Sequence, residues 1–112
     1  MMRFEPDVRV GVLAEPIARV LVLASVWSTT ADVDVVVRSM NDGREHHAPT
    51  SLHYFDLAVD LGTEPGTKRD LYAFTSWLRR HLPHGFTIRL EADYVHVEWD
   101  TGRDRDGIPR LP

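Results

Sequence analysis

The chain has 112 residues, 43% of them apolar and 27% charged, which suits one domain with a packed core and argues against disorder. Its formal net charge is −4, from 17 acids against 13 Lys and Arg, and no basic block exceeds pairs such as Arg79-Arg80, so nucleic acids and anionic surfaces are poor partners. There is no cysteine, which excludes disulfides, thiol nucleophiles and cysteine zinc knuckles and leaves His, Asp and Glu as the only metal donors.

Residues 1–14 read as an arm with one extended piece, RVGVLA. The most apolar run, IARVLVLASVW over 17–27, is too short to span a bilayer and contains Arg19. Glu5, Asp7 and Glu15 precede it where a signal peptide would carry positive charge, so the run reads as part of the folded protein. Pro16 suits a first helical position, where its missing N–H costs nothing. Ile17, Val20, Leu21, Ala24 and Trp27 then recur at helical spacing, which predicts a helix over 16–28 with a core-facing stripe.

DVDVVVR, 32–38, is β-branched and short and predicts a strand. NDGREHHAPTS follows as a polar loop, LAVDL over 57–61 as a second strand, and GTEPGT as another loop. DLYAFTSWLRRHL predicts a helix over 70–82 with Leu71, Phe74, Trp77 and Leu78 on one face, ended by Pro83 and Gly85. His81 and His84, at that end, read as solvent-facing residues favoured by the helix dipole. FTIRLEADYVHVEW, 86–99, alternates as two strands about a turn at 91–93. These elements predict an α+β fold, a small, mostly antiparallel sheet with two main helices, in a single domain over 1–100 followed by a tail over 101–112.

Chemistry-bearing residues gather in two stretches. SLHYFDLAVD, 51–60, places His53, Asp56 and Asp60 among apolar neighbours, and EADYVHVEWD, 91–100, holds Asp93, His96 and Glu98. His53 and Asp60 would lie about 23 Å apart on a strand, and about 10 Å apart on a helix. Only a bend between them, with His53 in a loop and Asp60 in a strand, lets both reach one ion. Asp93 and His96 reach one point if a turn stands at Asp93, while His96 and Glu98 share a strand face. Spacing alone permits a metal site without demanding one; each residue also has a plain structural reading as a satisfied polar group.

Ser51 to Asp60 resembles the S-x-H-x-x-G-x-A-x-D motif of the zinc D-Ala-D-Ala carboxypeptidases and L-alanyl-D-glutamate endopeptidases, and Asp93-Tyr94-Val95-His96 is similar to that family's second motif, (E/D)-x-x-H. Order and separation agree, and SMNDGREHHAPTSLHY looks most like phage-type members. The likeness covers about residues 33–100. It implies a hedgehog/DD-peptidase-like fold, with His53, Asp60 and His96 as zinc ligands and Asp93 as general base. It further implies that Arg44, His47 and Ser51 bind or position substrate. One position departs: Asp56 stands where the motif has glycine, a place where close packing or an unusual backbone angle would disfavour a side chain.

Three N/O ligands and an open position describe a catalytic zinc. The resemblance therefore implies a zinc metallopeptidase that cuts stem or cross-link peptides of bacterial peptidoglycan, in the manner of a phage endolysin. Such a protein would stay in the host cytoplasm until lysis, or ride on the virion, and act at the cell wall. The rival reading is an inactive relative, a structural or peptide-binding phage protein that keeps the fold.

Overall fold

A computed structural model describes residues 1–8, 15–40, 57–64 and 66–99. In chain order these form strand β1 (Met2–Phe4), helix α1 (Glu15–Ala31), strands β2 (Asp34–Ser39) and β3 (Ala58–Glu64), helix α2 (Lys68–His81), and strands β4 (Phe86–Leu90) and β5 (Val95–Trp99). The five strands make one sheet in the order β1-β2-β3-β5-β4. The architecture is thus α+β, with two helices and a mixed sheet.

The amphipathic stripes behave as their periodicity predicts. In α1, Ile17, Val20, Leu21, Ala24 and Trp27 are all buried; in α2, Leu71, Phe74 and Leu78 are, while Trp77 is half-buried against the same core. They meet in one core with Val35 and Val37 of β2, Val59 and Leu61 of β3, and Val95 and Val97 of β5. Trp27 and Phe74 join the two helices there, with ring centroids 4.8 Å apart. Because side chains alternate along a strand, both helices cover the same face of the sheet, and the intervening residues form the opposite face.

Element ends follow local chemistry. The first helix continues beyond 28 to Ala31, with Thr30 Oγ1 donating back to the Val26 carbonyl at 2.9 Å, and it stops at Asp32, which takes a left-handed φ of 55°. Aspartate tolerates that region better than most residues. Ser28 Oγ, donating to the Val33 carbonyl at 2.6 Å, ties the turn into β2. The second helix starts earlier than the apolar pattern suggests because Thr67 caps it: its hydroxyl accepts from the Asp70 amide at 3.2 Å and donates to the Asp70 carboxylate at 2.6 Å. The predicted hairpin is present, closed by the Glu91 amide donating to the Tyr94 carbonyl at 2.9 Å.

Two sequence expectations need correction. The N-terminal arm contributes a strand of its own: β1 pairs with β2, and in parallel, while the other three pairings are antiparallel. Three residues are too few to show a period, and β1 is held by contacts distant in sequence, the Arg3–Glu64 ion pair and the terminal ammonium on Asp34 at 3.0 Å. The expected extended piece at 9–14 lies outside the described residues. The second correction concerns β3, which runs on through Gly62 and Thr63 to Glu64, residues that read as a loop. Gly62 here serves close packing instead of a turn, since a side chain at that position would collide with the guanidinium of Arg38.

Among the described residues, no helix is long and apolar enough to cross a membrane. The apolar run 17–27 lies within α1, in the core.

Candidate metal centre

The sheet face turned away from the helices carries the polar residues. Asp60 on β3 stands directly opposite His96 on β5, and Ala58 opposite Glu98. On the other side of β5, Arg89 and Thr87 of β4 pair with His96 and Glu98. The two-residue period of each strand therefore delivers Asp60, His96 and Glu98 to one surface, while Val59, Leu61, Val95 and Val97 fill the core behind it.

His96 lies between two carboxylates. Its Nδ1 is 2.7 Å from Asp60 Oδ1 and its Nε2 is 3.0 Å from Glu98 Oε1. The three side chains retain only 11%, 15% and 11% of their exposure for His96, Asp60 and Glu98, so these contacts work in a weakly screened setting. Burial alone pulls the imidazole pKa down. The hydrogen bonds and charges of Asp60 and Glu98 together outweigh that and lift it to about 9. Without a metal, both ring nitrogens are donors at neutral pH and the histidine is a cation bridging two acids.

The pair Asp60 and His96 suits a metal by chemistry and by spacing. Carboxylate oxygen and imidazole nitrogen are both zinc donors, and two ligands on a tetrahedral zinc stand about 3.3 Å apart for bonds of about 2.0–2.1 Å. Replacing the shared proton by an ion requires the two groups to separate by about half an ångström, within the reach of a χ rotation. Glu98 cannot join the same ion while it faces the other ring nitrogen, since the two lone pairs diverge. Among the described residues, no three His, Asp or Glu gather around a common point suited to a metal. The third ligand expected from the motif, His53, lies outside the described residues, as do Arg44, His47, Ser51 and the departing Asp56.

Asp93 occupies the turn between β4 and β5, with a side chain 71% exposed. Its Oδ2 is 3.9 Å from Arg38 Nη1, an ion pair too long for a hydrogen bond. Tyr94 follows it; burial first, then the charges of Asp60 and Glu91, push its phenol up, so it remains a neutral O–H donor near Asp60. At the end of α2, His81 and His84 are exposed as expected, and His81 stacks on Trp77 with centroids 4.1 Å apart.

Two residues that sequence reading did not assign take part in this surface. Arg38 sits at a β-bulge, where β2 inserts an extra residue between the pairs Val37–Leu61 and Ser39–Asp60. Bulges re-aim side chains, and this one accompanies a guanidinium lying over Gly62, on the face that carries Asp60. Its Nε is buried and has no hydrogen-bond partner among the described residues. The signal was a single cation following three valines in the strand DVVVRS. The other residue is Glu98, whose acid two positions beyond a candidate ligand shares that ligand's strand face.

The sequence matches no protein-family model and no curated protein. The likeness to zinc peptidases rests on the two motifs themselves.

Proposed function

We propose that the chain is a zinc-dependent peptidase of hedgehog/DD-peptidase-like fold that hydrolyses peptide bonds in the stem or cross-link peptides of bacterial peptidoglycan, as a phage endolysin does. The observation that supports this best is the contact of Asp60 and His96. They come from separate motifs, 36 positions apart, yet stand in register on neighbouring strands with Oδ1 and Nδ1 at 2.7 Å.

Asp60 and His96 would hold the ion together with His53, and the ion would supply Lewis acidity, lowering the pKa of a water toward about 7. Asp93, exposed in the β4–β5 turn 3.9 Å from Arg38, would take the proton from the attacking water and return it to the leaving amine. Arg38, held over Gly62, offers a cation to the scissile carbonyl oxygen or to a carboxylate of the stem peptide. No covalent intermediate is needed, in keeping with the missing cysteine.

A second reading draws on the same contacts. A protonated histidine between two buried acids is a satisfied charge network, and an inactive structural or peptide-binding relative could retain it for stability. Dialysis against zinc followed by metal analysis, with digestion of purified peptidoglycan by the same sample, separates the two. One retained equivalent together with released peptides supports the enzyme. Absence of both supports the network.

A further inference from the structure

An imidazole bound to a metal uses one nitrogen and needs an acceptor for the proton on the other. Here each nitrogen of His96 faces its own carboxylate, and the surroundings of the two acids differ. On the Asp60 side lie Gly62, two residues along the same strand, with the Arg38 guanidinium over it and Asp93 3.9 Å from that guanidinium. On the Glu98 side, the strand neighbours are Ala58 and Thr87. Among the described residues, the groups able to meet a substrate thus collect beside Nδ1, while Glu98 is buried at 8% exposure.

We propose that Glu98 is a positioning residue: its carboxylate accepts Nε2–H of His96 and so fixes the ring and its tautomer, with Nδ1 turned toward Asp60 as the metal-binding nitrogen. The assignment rests on the metal reading given above and adds to it the identity of the binding nitrogen. Glu98 does not touch the ion or the substrate. Its effect on the metal is indirect, through ring orientation and the basicity of the nitrogen opposite.

The test is zinc affinity by chelator competition, with the absorption spectrum of the cobalt-substituted protein, for wild type, Glu98→Gln and Glu98→Ala. Glu98→Gln retains an oxygen acceptor, so its affinity and cobalt spectrum should stay close to wild type. Glu98→Ala should bind zinc about 10- to 100-fold more weakly, the usual effect of losing such an outer partner. Zinc bound by Glu98→Ala as tightly as by wild type overturns the assignment. Loss of the metal and of the cobalt spectrum in Glu98→Gln overturns it too, by making Glu98 a direct ligand. Should Glu98→Ala fail to fold, ¹⁵N spectra of zinc-loaded wild type decide: the proton belongs on Nε2 of His96, and a proton on Nδ1 contradicts the proposal. A wild type that binds no zinc removes the metal reading itself and this inference with it, a result visible before any variant is made.

Discussion

Asp60 and His96 face each other across the β3–β5 pair, Oδ1 to Nδ1 at 2.7 Å, with Glu98 3.0 Å from the ring's other nitrogen. The chain thereby places a histidine and two acids on a mostly buried surface, where each depends on the others for its charge. Removing any one takes away a charge that the others face, and several consequences can be measured.

His96→Ala should abolish zinc binding and hydrolysis together, since it removes a protein ligand. It should also destabilise the metal-free protein by about 3–5 kcal/mol, because Asp60 and Glu98 lose the cation between them. Urea unfolding and metal analysis on the same preparation test both. His53→Ala should remove the metal as well; full zinc occupancy in both variants would mean that the ligands are other residues, His46 and His47 first among them.

Asp93→Asn should separate binding from chemistry. The amide keeps the shape but cannot take a proton at neutral pH. Zinc content should stay at the wild-type level while turnover falls by about 10²-fold or more. Loss of zinc would make Asp93 a ligand, and undiminished turnover would assign the proton to another acid, Glu91 first.

Gly62→Ala should act through Arg38. The added methyl meets the guanidinium, the far end of a flexible side chain, so the fold should tolerate it at little cost in stability. Hydrolysis should nevertheless fall about as far as in Arg38→Ala, by about 10²-fold if the cation meets the developing oxyanion. A Gly62→Ala protein with full activity, beside an inactive Arg38→Ala, would show that the cation works from a different position.

The metal-free protein should lose stability as pH rises. His96 keeps its proton to about 9 when folded, against 6.5 for the ordinary side chain. Its contribution is complete below pH 6.5 and disappears between there and about 9, with an upper size on the order of 3 kcal/mol. Thermal or urea melts across that window should show the decline, and His96→Gln should flatten it.

The helices and the hairpin were legible in the sequence because their apolar periods are long and their stops are explicit, Pro83 and Gly85 after α2 being the clearest. The parallel β1 was not, since three residues carry no period and the strand depends on partners more than thirty positions away. The extension of β3 through Gly62 was hidden for a related reason: glycine signals a turn locally, while its use here is to seat Arg38 from the neighbouring strand. At the site, spacing left Asp60 and His96 as candidates and the resemblance singled them out; the strand register brings them into contact. Arg38 was missed because its place depends on a bulge, a property of the strand pairing; Glu98 was placed on the His96 face but given no role, because its contact with Nε2 depends on side-chain geometry.

Hydrolysis shows in the masses of defined muropeptides after incubation with the zinc-loaded protein and with the same protein stripped by a chelator. A zinc peptidase converts one muropeptide into two fragments whose masses sum to the parent plus one water, and does so only with the metal restored. Muropeptides of unchanged mass in both samples would contradict peptidase activity and leave Asp60, His96 and Glu98 as a structural charge network.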